Sequence, residues 1–199
     1  MIFSISGVSC AGKTTLLEGL RASIPGLQPM ESVTTRPGRP SDQPGEYRYV
    51  DDDEFDRIKS NGVFAWTVQP FGGPYRYGTA KLLVESALRS QKIYAPILTV
   101  ETVDTLYEFA KERGSEKRFQ ALLLTISNVH RLEERFRHRG DSSIDIEIRL
   151  RSAYDEAHRL CTRFLDNPTC PVTYRFINAE LPKQEVLAQA IYYIQHPHK

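Results

Sequence analysis

Gly7 and Gly12 are separated by four residues and followed at once by Lys13 and Thr14, so residues 7–14 read GVSCAGKT. The spacing matches the phosphate-binding pattern G-x-x-x-x-G-K-[ST], and it directly follows the apolar opening MIFSIS. Glycines let a loop curl until successive backbone N–H groups point inward at phosphate oxygens. A helix starting where the loop ends adds the positive end of its dipole. In that arrangement the lysine reaches the outer phosphates of a nucleoside triphosphate and the hydroxyl coordinates Mg²⁺. Gly7, Ser9, Ala11, Gly12, Lys13, Thr14 and Thr15 are therefore the expected triphosphate-binding set, with Thr14 as the metal ligand. Cys10 lies inside the loop as a filler, because the loop works through backbone groups.

Two further clusters say what is done with the triphosphate. Residues 32–39, SVTTRPGR, put hydroxyls beside Arg36 and Arg39, three apart. Arginine forks bind phosphate oxygens at two points, so the pair suits a second, smaller phosphate group. Tyr47 and residues 75–79, YRYGT, add phenols that can donate to the same anion. Either arginine alone reads as a surface-loop residue; the cluster favours a site. Residues 132–140, LEERFRHRG, are basic and break at Gly140. Phosphoryl transfer needs positioning and charge neutralisation more than covalent chemistry. Arginines on a mobile element can supply the charge while excluding water.

These residues need a scaffold, and the chain supplies strands alternating with helices. Strands are expected at 2–6, 47–50, 64–68, 75–77, 92–100, 119–126 and 172–177. Helices are expected at 13–23, behind Asp51–Asp53, from Thr79 with Leu82, Leu83, Ala87 and Leu88 on its inner face, and at 103–113, 129–139, 144–165 and 182–194. Pro96 weakens the strand at 92–100. Alternation implies an α/β fold with a parallel sheet covered on both faces, and the stretch 32–77 breaks it as an inserted β-rich lobe. The 199 residues are 40% hydrophobic, enough for a sizeable core. Lys plus Arg number 26 against 25 Asp plus Glu, so overall charge points to neither nucleic acid nor membrane. Cys10, Cys161 and Cys170 fit no metal or disulfide spacing, which suggests a reducing, cytoplasmic setting. No apolar run approaches the roughly 20 residues of a membrane span. The sequence leaves the oligomeric state open.

Taken together, the loop at 7–14, Ser32-x-Thr34-Thr35-Arg36-x-x-Arg39, Tyr47, Tyr77-Gly78-Thr79, the run 132–140, Arg149-Leu150 and Ile177-Asn178 resemble the guanylate kinase family over nearly the whole chain. The resemblance implies a P-loop NTPase-type fold in one domain. Its core would be 1–31, 80–126 and 166–199, its nucleoside-monophosphate lobe 32–79, and its helical lid 127–165. It implies transfer of a phosphoryl group from ATP, with Mg²⁺, to a nucleoside monophosphate. Ser32, Arg36, Arg39, Tyr47 and Tyr77 would hold the acceptor phosphate and Thr79 would lie near its base. Lys13, Arg36, Arg139 and Arg149 would be catalytic; Arg135 and Asn178 would belong to the ATP site, Asn178 near the adenine.

The chain also departs from the family. A carboxylate that reads guanine is replaced by Ala65, and an aspartate pair in the strand expected at 92–100 is replaced by Ile97 and Thr99. Gln69 and Thr67 nearby could read a different base edge. A site built to hydrogen-bond a base edge discriminates strongly, so losing those groups relaxes or changes the choice. GMP and dGMP are the family default, and an altered base is the expectation. Two alternatives are a kinase of ribose 1,5-bisphosphate and a non-catalytic binding module, against which the intact loop argues.

Overall fold

The computed structural model describes residues 1–40, 42–70, 73–140, 142–166 and 172–197, and it leaves undescribed the side chains of Val129, Arg139, Asp145 and residues 163–166. Cys170 and the Arg139 side chain thus lie outside the described residues. The chain divides into two compact units, Met1–Ser4 with Ile24–Phe119, and Ile5–Ser23 with Gln120–Lys199.

The first unit is built on a four-stranded sheet. Its strands are β2 (Ser32–Thr34), β3 (Tyr47–Tyr49), β4 (Phe64–Val68) and β5 (Tyr77–Ala80), in the order β3-β2-β5-β4. β2 runs parallel to β3 and antiparallel to β5, which pairs antiparallel with β4. Val33, Phe55 and Phe64 form a small core with Val50 and Ile58 packed against it. Helix α2 (Asp52–Ser60) starts where three acidic residues meet the helix dipole, and the Asp51 carboxylate caps it by accepting from the Glu54 N–H at 2.8 Å.

Three expectations shift here. The strand placed at 75–77 begins only at Tyr77, and the following helix α3 (Lys81–Arg89) begins after Ala80. Its inner face is Val84, Ala87 and Leu88, whereas Leu82 is 79% exposed. Two residues advance a helix by about 200°, so Leu82 and Val84 cannot share a face. The third shift is at 92–100, which forms no continuous strand. Tyr94 bridges both Ile2 and Gln28, but Pro96 offers no N–H, and helix α4 (Val100–Lys111) has already begun by Val100.

The second unit holds a three-stranded sheet of order β1-β6-β7, where β1 (Ile2–Gly7) enters from the first unit. β6 (Phe119–Thr125) and β7 (Tyr174–Asn178) run parallel, Leu124 opposite Ile177 and Thr125 opposite Asn178. Ala121 to Leu124 are at most 2% exposed, the continuous apolar run of a strand covered on both faces. Helix α1 (Lys13–Ser23) buries Leu16, Leu17 and Leu20 and packs on α7 (Lys183–Gln195) at Gly19, which lies against Leu187. Helix α5 (Val129–Arg139) ends at Gly140 in the left-handed conformation and packs on the long α6 (Ser143–Asp166). No helix among the described residues is long and apolar enough to cross a membrane.

Candidate active site

The loop between β1 and α1 has the conformation its glycines predict. Gly7 sits at φ 142° and Gly12 at φ 97°. Cys10, at φ 60°, is the one non-glycine residue with positive φ among the described residues. A Cβ on Gly7 would stand 2.6 Å from the Leu124 carbonyl oxygen, so the close approach of β1 to β6 also demands glycine there. Because α1 begins at Lys13, the N–H groups of its first turn have no helical partners and face the loop end as a ready anion site. Lys13 folds back over the loop, its Nζ donating to the carbonyls of Gly7 (2.6 Å) and Val8 (2.9 Å). Burial pushes this ammonium below its ordinary value, against the pull of the Glu156 carboxylate and of Cys10. A triphosphate would give it the anion it lacks. Thr14 is exposed at the start of α1, a position and chemistry that fit a hydroxyl ligand of Mg²⁺.

Arg135, on α5, ties together the loop after β1 and the turn after β7. Its Nη1 donates to the Cys10 carbonyl at 3.1 Å and its Nη2 to the Ala179 carbonyl at 2.6 Å. The loop tip and the turn after β7 thus share one guanidinium. Asn178 ends β7, and its Oδ1 accepts from the Glu180 N–H at 2.9 Å, which closes that turn. Glu180 in turn accepts from the Ser127 hydroxyl and the Asn128 N–H, and these bonds hold its carboxyl below the usual range. Arg149 lies on α6, half-buried.

In the first unit, the expected acceptor residues converge through strand register. Ser32 lies opposite Tyr47, and Thr34 opposite Tyr77. The Tyr47 and Tyr77 rings meet edge to face at 6.2 Å, and the Arg36 guanidinium stands 4.8 Å above the Tyr47 ring. The Ser32 and Thr79 hydroxyls are 3.4 Å apart. Burial pushes the Tyr47 phenol up to about 12, with Glu46 and Tyr77 adding to the effect, so it stays a proton donor at neutral pH. Arg39 is exposed, and its side chain makes no ion pair or hydrogen bond among the described residues. Thr34 and Thr35 prove structural. The Thr34 hydroxyl donates to the Arg76 carbonyl at 2.9 Å, and the Thr35 hydroxyl accepts from the Arg76 N–H at 3.0 Å. Arg76 itself is fastened to Asp52 and Asp56 of α2.

No protein-family model matches the chain. Curated relatives do. Over 190 residues the chain is 32% identical to the guanylate kinase of Helicobacter pylori, covering 94% of this chain and 84% of that protein. Over 164 residues it is 32% identical to the guanylate kinase of Rhodopseudomonas palustris, covering 78% and 69%. The chain belongs to the guanylate kinase family. The crystal structure of guanylate kinase from Anaplasma phagocytophilum shares the fold, with a TM-score of 0.66 at 20% identity over 99% of this chain and 85% of that one. This guanylate kinase family member is thus a phosphotransferase acting on nucleoside monophosphates, with a P-loop NTPase-type α/β fold.

Against that background, the positions that depart from the family have clear local geometry. Phe64 pairs with Ala80 and Trp66 with Thr79, so the register slips at Ala65, which occupies a β-bulge, half-buried. Bulges re-aim side chains beside binding sites, and here the side chain is a methyl group. Thr99 caps α4; its Oγ1 accepts from the Thr102 N–H at 3.3 Å and lies 2.8 Å from the Thr102 hydroxyl. Gln69 is exposed, and its amide donates to the Gly73 carbonyl at 2.6 Å. The sequence reading missed one charged residue of this unit, Asp42, whose only signal is an acid three residues after Arg39.

Proposed function

We propose that the protein transfers the γ-phosphoryl group of ATP to the phosphate of a nucleoside monophosphate, with a base choice relaxed or shifted relative to guanine. The observation that carries this is a contrast within the first unit. Arg36, Tyr47, Tyr77, Ser32 and Thr79 are drawn together by strand register, while Ala65 and Thr99 offer no carboxylate to a guanine edge. On this reading Ser32, Arg36, Arg39, Tyr47 and Tyr77 grip the acceptor phosphate, and Ala65, Gln69, Thr79 and Thr99 border its base. Gly7, Ser9, Ala11, Gly12, Lys13, Thr14, Thr15, Arg135 and Asn178 form the ATP site. Thr14 would hold Mg²⁺, which would supply neutralisation of charge on the phosphate oxygens. Lys13 exchanges its loop carbonyls for phosphate oxygens, and Arg139 and Arg149 balance the charge of the group in flight. The working division of the chain is a core of 1–31, 80–126 and 166–199, a lobe of 32–79 and a lid of 127–165, in a cytoplasmic enzyme whose Cys10 and Cys161 form no disulfide among the described residues.

The test is ADP release with ATP and Mg²⁺ against GMP, dGMP, AMP, CMP, dCMP, UMP, dTMP, 5-substituted pyrimidine monophosphates and ribose 1,5-bisphosphate. Turnover of several monophosphates, or of one other than GMP, supports the reading. Turnover of GMP and dGMP alone overturns the altered base, and activity only on the bisphosphate overturns the nucleotide acceptor.

A further inference from the structure

Arg36 is only 4% exposed, and it is paired there with a carboxylate. Its Nη2 donates to both Oδ1 and Oδ2 of Asp42, each at 2.9 Å, while Nη1 donates to the Pro37 carbonyl at 2.8 Å. Asp42 accepts two further bonds at 2.7 Å, from the main-chain N–H of Arg39 and from the Tyr49 hydroxyl. One carboxylate therefore joins the side chain of one arginine, the backbone of the next and a phenol from β3. Burial alone would raise the Asp42 carboxyl, but the Tyr49, Arg39 and Arg36 donors outweigh it and hold it low. A buried guanidinium without a counter-ion is costly, so the ion pair is what keeps this cation beside Tyr47. Nη2 belongs to both two-point edges of a guanidinium, so bonding it to a fixed acid sets the rotation of the whole group.

We propose that Asp42 is a positioning residue of the acceptor-phosphate subsite. It sets the Arg36 side chain through charge and the Arg39 main chain through a hydrogen bond, so that the incoming phosphate meets one cation already in place and a second carried on an anchored backbone. Ordering a long, charged side chain in advance removes an entropy cost that binding would otherwise bear. The inference rests on the reading of Arg36 and Arg39 as acceptor grips.

The test is steady-state kinetics with ATP and the best acceptor of the panel (GMP where it is turned over). The variants are Asp42→Asn, Tyr49→Phe, Arg36→Lys and the double variant Asp42→Asn with Arg36→Lys. Asp42→Asn should raise the acceptor KM about tenfold and leave the KM for ATP unchanged. Tyr49→Phe, which removes one donor from the Asp42 carboxylate and keeps both arginines, should raise the acceptor KM a few-fold. The double variant should fall short of the product of the two single effects, because part of the carboxylate's action runs through that guanidinium. A merely structural role would instead move both KM values together with the thermal midpoint. The proposal is overturned if Asp42→Asn leaves the acceptor KM unchanged or lowers it, the latter meaning that the carboxylate competes with phosphate. Multiplying effects in the double variant also overturn it. Should Asp42→Asn not fold, an unchanged acceptor KM in Tyr49→Phe overturns it equally. If Arg36→Lys itself leaves the acceptor KM unchanged, the acceptor-site reading fails, and this inference with it.

Discussion

The two glycines of the phosphate loop should fail for different reasons. At Gly7, φ is 142°, a region that L-residues scarcely enter, and an added Cβ would lie 2.6 Å from the Leu124 carbonyl oxygen and 3.1 Å from its Cβ. The obstacle is backbone in a fully buried strand, so it cannot move aside cheaply. Backbone strain of this kind costs about 1–3 kcal/mol, and forcing extra atoms into a packed region costs about 1–3 more. Gly7→Ala should therefore lose about 2–6 kcal/mol, a large share of the roughly 5–15 kcal/mol that holds an ordinary domain. At Gly12, φ is 97° but an added Cβ meets nothing within 4 Å. Gly12→Ala should lose only the strain, about 1–3 kcal/mol. Its main effect should be a raised KM for ATP, since it reshapes the cradle. Urea unfolding of the three proteins measures the difference through the midpoint, at unchanged slope. A Gly7→Ala protein less than about 1 kcal/mol below the parent, or no less stable than Gly12→Ala, would refute the claim that contact with β6 fixes the first glycine.

Other perturbations follow from the same geometry. Lys13→Ala removes an ammonium that burial already disfavours, so the urea midpoint should hold while kcat falls by about 10²–10³, the cost of losing one transition-state donor. Leu82→Lys should change stability by less than about 0.5 kcal/mol, whereas Leu88→Ala, on the buried face of the same helix, should cost about 2–5 kcal/mol in urea unfolding. The Asp42 carboxyl is held below its unfolded value, so its contribution to stability is complete above about pH 4 and lost as pH falls through the lower folded value. Acid titration of stability should be flatter in Asp42→Asn than in the parent below about pH 4, and parallel curves would contradict the pairing.

Much of this fold was legible because its signals are local. α1 and α5 run over the residues that periodicity and caps imply, and the glycine-lysine-threonine spacing marks a strand-to-helix loop whose glycines do take positive φ. Local signals failed where tertiary contacts decided. The apolar run at 92–100 looks like a strand, yet it makes only isolated β-bridges among the described residues, at Tyr94 and Ile97, before the cap at Thr99 turns the backbone into α4. Leu82 looks like core because leucine is apolar, while the helix phase is set by Val84, Ala87 and Leu88. In the acceptor half, sequence could nominate Arg36, Arg39, Tyr47 and Tyr77. It could not separate the structural hydroxyls of Thr34 and Thr35 from site groups, nor find Asp42, because both facts depend on which side chain a folded loop presents to which partner.

The ratio of kcat/KM for GMP to that for AMP tests most directly how the acceptor's base is read. A site that hydrogen-bonds a base edge rejects analogues by about 10⁴–10⁵. With a methyl group at Ala65 and the Thr99 hydroxyl engaged in capping α4, the ratio should fall below about 10². A GMP:AMP ratio above about 10⁴ would contradict the account and show that other residues of this chain rebuild the guanine contacts.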